Sequence, residues 1–255
     1  VVQLIDHNFN LHARKIAEQT KGMKVITLEN LCYVDSGLLC DTFNIIHIFN
    51  GRHFPEKELM EAVNHFRNKY SPFCIWINKE NLTPPVKKTL AELSLIKQNE
   101  EIGMALDLDS FYPIDNQGYE HIMTVNSKKI LLEYAQVIAK NWTPIDKNIL
   151  KFYERTADKY LDKKNGVCLL IYYYKNKAAA TVELFPTDNE TIGLYGFATL
   201  EKYRGMGIGS SLFTFALNKV KKMGFKKVIL QASEDGFRIY RKYGFEDVTV
   251  YYEYA

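Results

Sequence analysis

The chain has 255 residues, 47% of them hydrophobic and 25% charged, with 14 Gly and 7 Pro. That is the composition of a folded globular protein with enough chain for two ordinary domains, and it excludes disordered, collagen-like and low-complexity classes. The net charge of +3 hides an asymmetry: residues 1–120 carry 12 Lys and Arg against 16 Asp and Glu, and residues 121–255 carry 21 against 14.

In chain order, the spacing predicts a helix over Leu11–Thr20, then extended segments at Lys24–Leu28 and Asn44–Phe49. Pro55 suits the first position of a helix over Glu56–Tyr70, where Leu59, Val63 and Phe66 recur at helical spacing. Phe73–Ile77 reads as a buried strand, Thr83–Leu93 as a helix and Gly103–Leu108 as a strand. The polar turn Pro113–Gly118 marks a boundary, giving domains over 1–118 and 119–255. The second opens with a strand at Ile122–Val125 and Ser127 as a helix N-cap, before helices at Lys128–Asn141 and Ile145–Lys163. Val167–Tyr174 and Lys177–Phe185 read as antiparallel strands turning at Lys175-Asn176, followed by a strand at Ile192–Thr199. A glycine-rich loop, a helix to Met223, a strand at Lys227–Gln231, a short helix and a strand at Val248–Tyr254 complete the chain. The helix Val86–Leu93 and strand Gly103–Leu108 echo Phe237–Tyr243 and Val248–Tyr254, a pattern that an internal duplication would leave. The fold class is α/β (α+β).

Charge and cysteine usage narrow the function. An acidic half joined to a basic half suits the second domain to an anionic ligand. The basic residues form no dense run and no base-stacking motif accompanies them, so nucleic acid is not the expected partner. The four cysteines have neither disulfide-framework nor zinc spacing, and free thiols without a metal are expected. No apolar run is long enough for a membrane span and no signal peptide is visible, so a cytoplasmic protein without a membrane partner is expected.

The informative segment is Arg204-Gly205-Met206-Gly207-Ile208-Gly209-Ser210, between a strand and a helix. Alternate glycines let the backbone turn tightly against a ligand, and the first amides of the helix face an anion. The nucleoside-triphosphate loop fails here because Ser210-Ser211 replaces Lys-Ser/Thr, and the dinucleotide fingerprint fails on glycine spacing. The segment resembles the Gcn5-related N-acetyltransferase superfamily, whose loop reads Arg/Gln-x-x-Gly-x-Gly/Ala. Upstream, Phe197–Tyr203 looks like that family's approach to the loop. Downstream, Leu230–Phe245 is similar to its second motif, ending in Ile239-Tyr240 and Gly244-Phe245. The match extends over roughly residues 165–250. It departs at Ser233, where many members carry an Asn that contacts the pantetheine arm.

The resemblance implies a C-terminal domain of that fold, with a mixed, mostly antiparallel sheet flanked by helices. The N-terminal half would be a degenerate copy, since residues 1–120 hold no diphosphate loop. It implies acetyl-CoA as co-substrate, with backbone amides of Arg204, Gly205, Met206, Gly207, Ile208, Gly209 and Ser210 on the diphosphate. Phe197, Ala198 and Thr199 would pair edge-on with the pantetheine amides, with Ser233 beside them. Tyr240 is the expected proton donor to the departing thiolate, with core packing as its plain alternative. Glu183 is a carboxylate in an apolar strand; facing the cleft it would accept the acceptor's proton, although such a residue ordinarily faces solvent. Asp41 and Asn44 are considered for the acceptor site against a turn-capping role, and Trp76 and Trp142 are read as core residues. The expected function is acetyl transfer to a primary amine of a small molecule or peptide. A coenzyme A-binding sensor or scaffold is the alternative, and a homodimer is left open.

Overall fold

The computed structural model describes residues 1–54, 56–115, 118–234 and 236–255. The helix-starting role of Pro55, the Asn116-Gln117 part of the polar turn and Asp235 of the second motif lie outside the described residues. The elements begin with α1 (Val2–Glu18), β1 (Lys24–Thr27), β2 (Leu31–Asp35), β3 (Ile45–Ile48), α2 (Glu56–Arg67), β4 (Cys74–Asn78), α3 (Pro84–Glu92) and β5 (Lys97–Asp107). They continue with β6 (Ile122–Thr124), α4 (Lys128–Ala139), α5 (Lys147–Arg155), α6 (Ala157–Tyr160), β7 (Cys168–Tyr174), β8 (Lys177–Pro186) and β9 (Thr191–Thr199). The last four are α7 (Ile208–Lys222), β10 (Lys227–Ala232), α8 (Phe237–Lys242) and β11 (Glu246–Tyr254).

These elements form two compact units, Val1–Ala105 with Gln231–Ala255, and Leu106–Leu230. The division is discontinuous, unlike a single break between 118 and 119. Its cause is β11, which is hydrogen-bonded antiparallel to β4 on one edge and to β5 on the other. The strand that ends the chain is therefore an interior strand of the first half's sheet.

In the first unit the strands run β1-β2-β3-β4-β11-β5. Only β3 and β4 are parallel. Leu31, Ile46, Ile48, Ile75 and Ile77 form its core together with Leu59, Val63 and Phe66 of α2 and Val86 and Leu90 of α3. α1 begins nine residues before the predicted Leu11, because its inward face carries Asp6 and Asn8 beside Ile5 and Phe9 and so breaks the apolar pattern. Asp6 is tied down by three donors to its Oδ1: His47 Nε2 at 3.1 Å, Asn78 Nδ2 at 2.9 Å and the Tyr251 hydroxyl at 3.1 Å. β2 has no counterpart among the strands expected from the sequence. All five of its residues are buried, so no alternation marks it.

In the second unit the order is β10-β9-β8-β7-β6. Ser127 caps α4 as predicted, accepting from the Ile130 amide at 3.4 Å. The β7–β8 turn falls at Lys175 and Asn176, with φ of 48° and 60°, as a two-residue hairpin turn requires. The predicted helix Ile145–Lys163 divides into α5 and α6 at Thr156, whose hydroxyl donates back to the Phe152 carbonyl at 2.7 Å. α4 and α7 both pack on β8 and β9. Among the described residues no helix is long and apolar enough to cross a membrane.

The two units repeat one path. In each, two antiparallel strands are followed by a helix and by a strand parallel to the second: β2-β3-α2-β4 and β8-β9-α7-β10. Before α2, Gly51 is held by side chains from the segment that follows β4. The Gly51 amide donates to Asn81 Oδ1 at 3.0 Å, and the Thr83 hydroxyl donates to the Gly51 carbonyl at 3.0 Å. A Cβ on Gly51 would lie 1.8 Å from the Asn81 carbonyl oxygen, and Glu56 and Glu58 occupy the helix's first turn. At Gly51, therefore, that turn lacks the open space found at Gly205 and Gly207.

Asp6→Ala removes the shared acceptor of three buried donors. Each donor left unsatisfied costs about 1–3 kcal/mol. The variant is expected to lose roughly 3 kcal/mol of stability, read as a lower urea midpoint with an unchanged slope.

Candidate active site

Where β9 leaves β10, the second unit opens. The parallel ladder covers only Lys227↔Thr191, Val228↔Ile192 and Ile229↔Gly193, whereas β9 stays paired with β8 as far as Thr199. Burial follows: residues 191–194 are buried, Gly196 is exposed, and Phe197, Ala198 and Thr199 are half-buried. The register of β8 against β9 jumps between Thr181↔Ala198 and Glu183↔Tyr195, so β9 carries a bulge there. Gly196 holds φ of 53° in it, and its carbonyl accepts from the Thr181 hydroxyl at 2.9 Å. A Cβ at Gly196 would lie 2.8 Å from the Tyr134 hydroxyl.

The glycine loop connects the open end of β9 to α7. Gly205 and Gly207 both hold φ of 76°, and Gly207 is the N-cap of α7. A Cβ added to either glycine would meet nothing within 4 Å, so the concave side of the turn is open. Gly209 has a different reason to be glycine: a Cβ would approach Thr199 Oγ1 to 2.9 Å, so its smallness lets α7 approach β9. Arg204 braces the turn, donating to the Thr199 carbonyl at 3.1 Å and to Asn141 Oδ1 at 3.0 Å. Residues 204–207 and Ser210 are exposed, while Ile208 anchors the helix in the core. An open turn of amides at the positive end of a 15-residue helix fits a diphosphate.

Glu183 lies behind the bulge and is only 2% exposed. It faces inward rather than to solvent. Tyr134 meets Tyr153 edge-on and Tyr153 lies tilted against Tyr160, with ring centroids 5.6 Å and 5.1 Å apart. Burial pushes all three phenols well above their usual range, and the Glu183 charge adds to each shift. They therefore remain protonated at every physiological pH.

The rest of the second motif belongs to the first unit. Ser233 is exposed, and its carbonyl accepts the amides of Gly236 and Phe237, which starts α8. A Cβ on Gly236 would lie 3.4 Å from Ser233 Oγ and 3.6 Å from the Tyr240 hydroxyl, so the Ser233 and Tyr240 oxygens flank one glycine. Tyr240 is 9% exposed and its ring rests on Phe245 at 5.9 Å. Burial, then the charge of Glu101, pushes its phenol above the usual value. Glu101, absent from the predicted site, has its own carboxyl pushed up to about 7 by burial and by the charge of Glu253.

Other candidates resolve into structural roles. Asn44 is fully buried and bonds to Ser36, the Leu38 and Pro72 carbonyls and Ser71 Oγ, so it staples loops. Tyr173 donates to Glu133 at 2.5 Å, and Trp142, expected in the core, is 49% exposed. Cys32, Cys40 and Cys74 are buried free thiols, and Cys168 is partly buried. Among the described residues no group of three or more His, Cys, Asp or Glu is placed to hold a metal ion.

Comparison with known proteins agrees with this geometry. Residues 132–245 match the model of the acetyltransferase (GNAT) family. No curated protein matches the chain. Among solved structures, the chain is similar to a GCN5-related N-acetyltransferase from Kribbella flavida, with 16% identity and a TM-score of 0.67 over 95% of this chain and 94% of that one. A GCN5-related N-acetyltransferase from Sphaerobacter thermophilus gives 14% identity and a TM-score of 0.59 over 94% and 84% of the two chains. A tandem GNAT protein from the clavulanic acid biosynthesis pathway gives 10% and 0.57 over 92% and 83%. At these identities the likeness is one of fold, and it extends over the N-terminal half as well as the matched domain.

Gly196→Val tests the bulge. Its φ of 53° is hostile to a β-branched residue, and the new Cβ would press on the Tyr134 hydroxyl. A loss of about 2 kcal/mol or more is expected from thermal unfolding of the variant.

Proposed function

We propose that the protein transfers acetyl from acetyl-CoA to a primary amine by direct attack, on the premise that residues 132–245 match the model of the acetyltransferase (GNAT) family. The observation that carries this reading is the open, left-handed turn at Gly205 and Gly207 leading into α7. Backbone amides from Arg204 to Ser210 take the diphosphate, and the exposed end of β9 at Phe197–Thr199 receives the pantetheine amides. Ser233 is shorter than the Asn common at its place, so its contact with the arm runs through water or backbone.

The reaction requires three things of the protein. The acetyl carbonyl must be held still, the amine must be neutral, and the leaving sulfur must receive a proton. Tyr240 is the residue for the third requirement: its phenol is protonated at neutral pH and can donate to a thiolate, while burial, by raising its pKa, weakens it as an acid. An alkyl ammonium with a pKa near 10.4 is mostly charged at pH 7, so the second needs a base. Glu183 is the candidate for that work; it is 2% exposed, and its charge reaches the phenols of Tyr134, Tyr153 and Tyr160.

Two variants test the reading. Gly207→Asp places a carboxylate against the diphosphate and replaces a left-handed glycine. Two charge-assisted hydrogen bonds of about 1.5–3 kcal/mol each are at stake, so affinity for acetyl-CoA should fall at least ~100-fold by calorimetry. Unchanged affinity would remove the assignment. Tyr240→Phe keeps the ring and loses only the hydroxyl. General acid catalysis is worth about 100- to 10,000-fold, and a thiolate needs the proton less than an alkoxide does, so turnover should fall roughly 100-fold with coenzyme affinity unchanged.

A further inference from the structure

Within the first unit, α2 and Tyr33 of β2 line a cavity of about 790 Å3, a volume in the range of small-molecule sites. Tyr33 is its buried member, 6% exposed, with its ring 5.3 Å from that of His65 and 6.1 Å from that of Phe66. Among the described residues the Tyr33 hydroxyl has no hydrogen-bond partner. A buried hydroxyl left without a partner is costly, so one that lines a cavity is suited to a polar group entering it.

The charges around the cavity are unevenly committed. Asp35, at the end of β2, accepts from the Gly37 amide at 2.9 Å, lies 2.8 Å from His65 Nε2 and pairs with Lys69. His65 and Lys69 are thus spent on a carboxylate of the protein itself. Lys57 is the remaining cation lining the cavity, and it is outnumbered by the carboxylates of Glu56 and Glu61. Among the described residues neither glutamate has an ion pair or a hydrogen bond. The phenol of Tyr33 is raised by burial first and then by the charges of Glu61 and Asp35, so Glu61 and the unpartnered hydroxyl share one neighbourhood. Met60 lies beside them, with its side chain exposed to the cavity.

We propose that this cavity binds a primary alkylammonium compound, with its nitrogen between the Glu61 carboxylate and the Tyr33 hydroxyl and its chain against Met60 and the Tyr33 ring. An ammonium carries three donors and no acceptor, which suits a carboxylate, a phenol oxygen and the carbonyl of the Asn64 side chain. A cation close to an aromatic ring gains further attraction from the ring's face. An anion of the same shape would meet two uncompensated glutamates, and a neutral alcohol would leave Glu61 without a counter-charge. The site lies in the first unit and involves no coenzyme, so it stands or falls independently of the transferase reading.

The test follows the Met60 methyl by NMR in the full chain labelled with 13C at the methionine methyls. Met60→Leu identifies its signal. The probes are butylamine, 1-butanol and butyrate, which have the same chain length and differ in charge. Butylamine should move the Met60 signal saturably, with a dissociation constant of roughly 1 mM, and the other two should bind at least ~10-fold more weakly. Glu61→Gln keeps the shape of an exposed side chain and removes its charge, and should weaken butylamine about 10-fold. Tyr33→Phe should weaken it by a smaller factor, about threefold. A Met60 signal unmoved by butylamine, equal shifts with all three probes, or undiminished affinity in Glu61→Gln would each overturn the proposal. Shifts confined to Met206 or Met223 would place the amine in the second unit and would overturn it as well, whereas loss of acetyl-CoA binding has no bearing on it.

Discussion

The second unit depends on a strand pair that stops early. β9 and β10 share three residue pairs and then part, while β9 remains bound to β8 along the rest of its length. A parallel pair that continued would have buried the end of β9 and left no wedge for an extended ligand. The bulge at Gly196 bends the strand at that point, and it is affordable because Thr181 satisfies the displaced carbonyl. The glycine loop follows from the same divergence. A helix that must start at the open end of β9 can approach it only with Gly209 against Thr199, and can turn into it only through left-handed backbone at Gly205 and Gly207.

The first unit shows what the same path does without an open turn. β3, α2 and β4 repeat β9, α7 and β10, yet the turn before α2 is filled by Asn81 and Thr83 and followed by two glutamates. Negative charge at that helix end satisfies the dipole from within. One copy thus has its turn filled at Gly51, and the other has its turn open at Gly205 and Gly207. The closed copy keeps its value as a frame, because β4 and β5 hold β11 between them.

Legibility in the sequence followed the locality of the cause. Left-handed turns at Lys175-Asn176 and along Arg204–Gly209 are dictated by neighbouring residues, and they were readable. So were the N-cap at Ser127 and the strands with clear turn signals on both sides. The start of α1 was not legible because Asp6 looks solvent-facing until its partners, His47, Asn78 and Tyr251, are known from 41 to 245 residues away along the chain. β2 was missed because a wholly buried strand has no period. The linear boundary at 118 ignored that a terminal strand can return to the first half's sheet, which no local pattern announces. Glu101 went unnoticed for the same reason: its environment consists of Glu253 and Tyr240, which lie far along the chain.

The two unusual carboxylates differ in what surrounds them. Glu183 is buried, and its charge helps raise the phenols of Tyr134, Tyr153 and Tyr160. Glu101 has a like charge diagonal to it and keeps partial exposure. A like charge makes the ionised form uncomfortable and so makes a proton, or a cation carrying one, welcome. Burial raises the proton affinity of Glu101, and the charge of Glu253 raises it further.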